Sequence, residues 1–243
     1  MSKLYIVGIG PGTREKRTFE AHQAITSSEV IVGYHVYLDL LREDYPEKDY
    51  MSTPMTREVE RCQTALDLAL EGRPVALVCS GDSGIYGLAG LIHELRGDSL
   101  SPEIIMVPGI TAATSGAALL GAPLTHDFAV ISLSDRLTSW ELIEKRLRLS
   151  AEADLSLVLY NPASKGRPEH LKRACKVLLE RLPEDRLCGV CRNIGREGES
   201  YVLMSLKELL HYEADMFCTV FIGSESTRRI GEKMVTKRGY RFA

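Results

Sequence analysis

Four short turns gather much of the chemically useful side-chain and backbone content of this chain, each after a short apolar run. The first is Gly8-Ile9-Gly10-Pro11-Gly12. Backbone without Cβ atoms lets a ligand approach closely. Pro11, however, removes an N–H that a phosphate cradle would use. Thr13 stands where a dinucleotide fingerprint needs its third glycine. No glycine turn runs on into Gly-Lys-Ser/Thr, so a phosphate P-loop is excluded as well. A plain tight turn is the alternative. The second turn, Ser80-Gly81-Asp82-Ser83-Gly84-Ile85-Tyr86-Gly87, carries three glycines, a carboxylate and two hydroxyls, more than a connection requires. Asp82 is either a ligand group or the cap of the next helix. The third is Val107-Pro108-Gly109-Ile110-Thr111-Ala112, where Thr111 is a ligand hydroxyl or a helix start. The fourth is Tyr160-Asn161-Pro162-Ala163-Ser164, with Asn161 held out of helical geometry by the proline.

Cys188-Gly-Val-Cys191 has the spacing of a redox pair or half a zinc site. Neither a second such pair nor a nearby pair of histidines completes a metal set. In an apolar strand, residues three apart face opposite sides of the sheet, so two buried thiols are the reading preferred here.

The elements that carry these turns are apolar runs alternating with helical patterns, the signature of an α/β fold with mostly parallel or mixed sheets. Strands are predicted at 4–9, 30–34, 75–80 and 104–107. A helix over 56–71 has Glu58 and Glu60 in its first turn and Gly72 as its stop. A small-residue helix runs from Thr111 to Leu120. The pattern then restarts with strands at 128–133, 155–160, 187–192, 201–204 and 217–222 and helices over 140–149 and 169–182. Two apposed α/β domains are expected, 1–118 and 119–243, with the cleft between them as the ligand site.

Composition narrows the function. The 243 residues have 44% hydrophobic and 26% charged content and a formal net charge of −3. No basic stripe suits a nucleic acid. No apolar run approaches the ~20 residues that cross a bilayer, and the N-terminal run reads as a strand, not a signal peptide. A cytoplasmic protein is expected.

The loops GIGPG, SGDSGIYG and PGITA, in this order and spacing, resemble those of the tetrapyrrole (corrin and porphyrin) methylase family. Within it, Val32–Tyr37, Arg57–Cys62, Leu120–Phe128, Ile131–Asp135, Tyr160–Pro162 and Arg192–Gly198 are most similar to the branch that methylates C-17 of precorrin-3B or its cobalt complex. One departure is Ser224, in Phe221-Ile-Gly-Ser224, where such enzymes tend to have Asn.

The resemblance implies an S-adenosylmethionine-dependent methyltransferase of cobalamin biosynthesis that also contracts the ring. It releases S-adenosylhomocysteine, and cobalt enters only as part of the substrate. Carried over by motif, the cofactor contacts are Pro11, Gly81, Asp82, Ser83, Ile85, Tyr86, Thr111, Ala112, Asn161, Asn193 and Ile194. The proton work at the macrocycle points to His126, Asp127 and Asp135, unless His126 and Asp127 only hydrogen-bond their own loop. Tyr34, Ser132, Ser134 and Arg192 are candidates for the substrate. Tyr34, with His35 and Tyr37, also fits an aromatic core, and Arg192 and Arg196 also fit surface ion pairs. The resemblance further implies a homodimer, with no nucleic-acid or membrane partner. Methylation at another position of the macrocycle, a non-catalytic tetrapyrrole binder and a dinucleotide oxidoreductase are the alternatives.

Overall fold

A computed structural model describes residues 3–54 and 56–241. The chain forms two compact units, Met1–Thr111 and Ala112–Ala243.

The first unit is built on a sheet of five strands: β1 (Lys3–Gly8), β2 (Val30–Tyr34), β3 (Asp49–Thr53), β4 (Val75–Cys79) and β5 (Glu103–Val107), ordered β3-β2-β4-β1-β5. Every pairing is parallel. Parallel strands need crossovers, supplied here by α1 (Phe19–Ser27), the short α2 (His35–Asp39), α3 (Glu58–Leu70) and α4 (Ala89–Arg96). β1, β2 and β4 are mostly apolar because both sheet faces are covered there. Leu4, Ile6, Val30, Val32 and Leu77 pack with Cys62, Leu66 and Ile92 of α3 and α4. Val7, Ile31, Ala76 and Val78 pack on the other face with Ala21, Ala24 and Ile25 of α1.

The second unit holds a mixed sheet of β7 (Phe128–Ser132), β8 (Ser156–Tyr160), β9 (Leu187–Arg192), β10 (Ser200–Ser205) and β11 (Cys218–Ile222), ordered β10-β9-β11-β8-β7. β7 and β8 are parallel and the other pairings antiparallel. On one face lie α6 (Trp140–Glu152), α7 (His170–Leu179) and the single turn α8 (Leu206–Leu209). On the other lies α5 (Ala112–Leu120). A small sheet of β6 (Gly121–Ala122), β12 (Thr227–Ile230) and β13 (Lys233–Thr236) completes the unit.

The small residues of α5 do what such residues permit, a close approach to the sheet. A Cβ on Gly116 would stand 2.8 Å from the Phe221 ring and 3.0 Å from Ile194. Ala113 and Leu120 pack with Val158, Cys191 and Phe221. The helix therefore belongs whole to the second unit, and the break between units falls at Thr111, ahead of the residue 118 read from sequence.

α1, β3 and the β12–β13 hairpin have no counterpart in the sequence reading, for a shared reason. Phe19, the largest residue of α1, points to solvent, and only Ala21, Ala24 and Ile25 are buried, so the apolar stripe is faint. β3 is a polar edge strand and β12 is mostly exposed.

Cys188 and Cys191 occupy opposite faces of β9, one packed under α6 and α7 and the other under α5. All six cysteines are buried free thiols. Burial pushes Cys62, Cys175 and Cys191 up to about 12 and Cys79 and Cys218 up to about 11. It raises Cys188 as well. The thiolate is the reactive form. At pH 8 the native protein should therefore leave a chromogenic disulfide reagent unconsumed until denaturant is added, when all six thiols react. Rapid consumption of two equivalents by the folded protein would restore a redox reading to the pair.

Candidate active site

In the first unit, three loops interlock at the carboxyl ends of β1, β4 and β5. Gly10 and Gly81 form an isolated antiparallel bridge, with N–H to O distances of 3.0 and 2.8 Å. The contact is so close that side chains are excluded. A Cβ on Gly8 would lie 2.7 Å from the Gly109 nitrogen, and one on Gly109 would lie 2.0 Å from the Gly81 oxygen. Asp82 clips the loops together. Its Oδ1 accepts the N–H groups of Gly84 and Ile85 at 2.8 and 3.1 Å, and its Oδ2 accepts that of Gly109 at 3.0 Å. Helix α4 starts later, with Leu88 as its N-cap residue, so Asp82 caps a turn and not the helix.

Ser83 is buried, its Oγ donating to the Ile6 carbonyl at 3.4 Å and its own carbonyl accepting the Ala89 N–H at 3.1 Å. Ile85 and Tyr86 are exposed. Tyr86 has φ of +54°, a conformation that bulky residues adopt only when their surroundings enforce it. At the same sheet edge Tyr34, which ends β2, is half-buried. Its ring contacts those of His35 and Tyr37, with centroids 4.3 and 5.4 Å away.

In the second unit, β7, β8 and β9 all run toward one edge, because β11 is antiparallel to both β8 and β9. Several expected site residues meet there. Asn161 Nδ2 donates to Ser132 Oγ at 2.9 Å, and the N–H of Ala113, in the first turn of α5 beside Ala112, reaches the Tyr160 hydroxyl at 2.7 Å. Asn161 and Asn193, just past the ends of β8 and β9, have φ of +53° and +52°. Ile194 turns its side chain into the core with Phe221, leaving its backbone for any ligand.

Asp135, just beyond β7, sits in a cluster of which the sequence showed only part. Arg167 Nη1 donates to Ser134 Oγ at 2.6 Å and stands 3.5 Å from Asp135 Oδ1. His170 Nε2 lies 3.4 Å from Asp135 Oδ2. Neither Arg167 nor His170 had a motif to mark it. The one available signal was their place in the segment after Asn161, Arg167 in the loop and His170 opening α7, which parallel pairing of β7 and β8 brings beside Asp135.

His126 and Asp127 do not join this cluster. They precede β7, a strand of five residues, so about 16 Å of extended chain separates them from its far end. Both are exposed, and their side chains meet each other, with the Asp127 N–H to His126 Nδ1 at 2.9 Å and Nδ1 to Asp127 Oδ2 at 3.3 Å. The Asp127 carbonyl accepts the Ser156 N–H at 3.2 Å.

Arg192 already has a carboxylate partner within its unit. Its Nε donates to Asp215 Oδ2 at 3.1 Å, and its Nη2 donates to the same oxygen. Burial pushes the Asp215 carboxyl up, but bonds from Arg192, the Phe217 N–H and Cys218 outweigh it and hold the group below its usual value. Ser224 is buried in a run of hydroxyls, 3.0 Å from Ser226 and 3.3 Å from Thr227. Among the described residues, no group of three or more His, Cys, Asp or Glu side chains could hold a metal ion. Nor, among the described residues, is any helix long and apolar enough to cross a membrane.

Two α/β units with glycine loops and strained residues at strand ends define a class. A family model described as tetrapyrrole (corrin/porphyrin) methylases matches residues 3–210, and the chain belongs to that family. It is 43% identical over 238 residues to a Salmonella typhimurium protein named probable cobalt-factor III C(17)-methyltransferase, covering 98% of this chain and 99% of that one. It is 40% identical over 229 residues to a Sinorhizobium protein named precorrin-3B C(17)-methyltransferase, covering 93% and 90%. The crystal structure of the methyltransferase CobJ superposes with a TM-score of 0.89 at 34% identity, covering 98% of this chain and all of that one.

Proposed function

We propose that this protein is an S-adenosylmethionine-dependent methyltransferase of cobalamin biosynthesis that methylates C-17 of a corrin precursor, cobalt-factor III or precorrin-3B, and contracts the ring. The observation that carries this reading is the 43% identity over nearly the full length of both chains to a protein named for C-17 methylation of cobalt-factor III.

The residues fit the cofactor. The loops Gly8–Gly12, Ser80–Gly87 and Val107–Ala112 contain no Lys or Arg, and the only charged side chain in them is the carboxylate of Asp82. Such an edge repels a phosphate and favours a cation. The exposed Ile85 and Tyr86 side chains offer an apolar surface to a neutral adenine. When bound, S-adenosylmethionine supplies an electrophilic methyl group on a positively charged sulfur. Pro11, Gly81, Asp82, Ser83, Ile85, Tyr86 and Thr111 of the first unit would hold it, with Ala112, Asn161, Asn193 and Ile194 of the second. Ser83 and Ile194 contribute through backbone groups alone.

The substrate carbon is the nucleophile, so the chain contributes orientation, which can lower such a barrier by up to about 7–11 kcal/mol. Ser132, Ser134 and Asp135 are grouped at one strand edge and supply hydroxyls and a carboxylate for the macrocycle. Asp135 is the group assigned to proton transfer there. His126 and Asp127 keep a supporting place at the other end of β7. Tyr34 offers an aromatic face to the ring, and Arg192 meets substrate carboxylates only by sharing itself with Asp215. On the same family resemblance the enzyme is a cytoplasmic homodimer.

The test incubates the purified protein with S-adenosylmethionine and, separately, cobalt-factor III and precorrin-3B. A tetrapyrrole heavier by one methyl group, formed with an equal amount of S-adenosylhomocysteine and carrying the methyl at C-17 by NMR, is the expected product. No mass gain with either tetrapyrrole, or a methyl at another carbon, would overturn the reading.

A further inference from the structure

We propose that Asp135 and His170 act as one proton-holding pair, with Asp135 exchanging a proton with the substrate and His170 and Arg167 acting as positioning residues. The role in turnover rests on the methyltransferase reading above, while the existence of the pair does not.

The surroundings of His170 fix its tautomer. His170 Nδ1 lies 2.8 Å from the Leu133 carbonyl oxygen. A carbonyl can only accept, so Nδ1 must carry hydrogen. In the neutral ring the lone pair is then on Nε2, which faces Asp135 Oδ2 at 3.4 Å. Packing keeps the ring from turning over. The His170 side chain is 8% exposed and its ring centroid is 4.9 Å from that of Trp140. The geometry leaves the pair one empty place for a proton, between a carboxylate oxygen and an imidazole nitrogen.

The proton balance is simple. A bond from the macrocycle to hydrogen breaks and its electron pair stays on the macrocycle. The proton passes to Asp135 and settles on His170 Nε2, giving an imidazolium beside a carboxylate. The reverse step returns it. Coupled in this way, the carboxylate meets the substrate and the imidazole stores the proton.

Access and aim come from the other partners. The Asp135 side chain is 35% exposed while His170 is enclosed, so only the carboxylate can meet a substrate. Arg167 stands 3.5 Å from Oδ1, is tied to Ser134 through the same nitrogen and holds Ser164 through Nε at 3.2 Å. Both carboxylate oxygens are thereby placed. Trp140, which packs on the ring, has charged neighbours of its own. Arg173 of α7 lies over its indole at 4.1 Å, and Glu144 of α6 accepts its Nε1–H at 2.6 Å.

Two substitutions separate this role from a structural one. His170→Asn keeps an amide to donate to Leu133 but loses the group facing Asp135. His170→Gln presents an amide toward Asp135 but cannot take up a proton. Both should lower kcat about 10–100-fold with little change in KM, in S-adenosylmethionine affinity by calorimetry or in Tm. Both should also remove a limb from the pH–kcat profile that the wild type shows. Arg167→Lys should recover most of the kcat lost in Arg167→Ala. Nitrogen-15 spectra of His170 provide a readout independent of turnover: Nδ1 protonated across the pH range, and an Nε2 titration that moves in Asp135→Asn. Wild-type turnover in His170→Asn, or an Nε2 titration indifferent to Asp135→Asn, would overturn the pair. If the wild type methylates no tetrapyrrole, the function proposed above fails and the spectra alone decide the pair.

Discussion

Gly109→Ala should lower Tm by about 5–10 °C and weaken S-adenosylmethionine binding more than tenfold. The new Cβ would lie 2.0 Å from the Gly81 oxygen and 2.6 Å from the Gly8 carbonyl group. All of these are backbone atoms, so no side chain can rotate away. Overpacking of this kind costs about 1–3 kcal/mol and occasionally more, and each kcal/mol moves Tm by about 2–4 °C in a chain of this size. The damage is directed, because Gly109 also donates to Asp82, the residue joining the second loop to the third. Gly90→Ala is the control. A Cβ there meets nothing within 4 Å, and the position is helical, so stability should hold or rise by about 0.5 kcal/mol. Calorimetric scans and cofactor titrations of both variants decide the matter. Equal behaviour would mean that the loops yield where the geometry shows no room.

The largest kinetic effect is expected at Asp135. Asp135→Asn keeps the size of the side chain and its approach to Arg167 and His170 but removes the acceptor for a proton. A loss of about 10²–10⁴ in kcat is expected, the range that positioned acid–base groups contribute, with S-adenosylmethionine affinity unchanged. The comparison that discriminates is His126→Ala. The His126 side chain is 56% exposed and, among the described residues, meets its neighbour Asp127 alone, so its loss should be the smaller of the two. A drop at His126 matching that at Asp135 would return the proton work to the amino-terminal end of β7.

What the sequence disclosed follows from the range of the interactions involved. Glycine turns and the strands before them are local patterns, and β1, β4, β5 and α5 were legible to within one residue. Cys188 and Cys191 could be assigned to opposite faces because a strand alternates strictly. The same alternation made His126 and Asp127 misleading as neighbours of Asp135. They are close in sequence, but an extended strand carries them away. Arg167 was invisible for the opposite reason. It lies 33 residues beyond Ser134, whose hydroxyl it holds, and only the pairing of β7 with β8 joins them. For Arg192 the sequence left substrate binding and an ion pair both open, and its bond to Asp215, 23 residues on, depends on the fold.

The inner place of β1, between β4 and β5, also bears on how the protein is made. Its neighbours are β4, beginning with Leu4 against Val75, and β5, beginning with Lys3 against Glu103. During translation this apolar strand emerges before either partner, unpaired until Cys79 has left the ribosome and paired on one side only until Val107 has. Contacts so distant along the chain form slowly, and an unpaired apolar strand is open to aggregation while it waits. The second unit has nearer partners, with β9 meeting β10 across one short loop, Arg192 against Ser200. Chaperone demand in the cell should therefore fall on the nascent first unit, the one that carries the glycine loops.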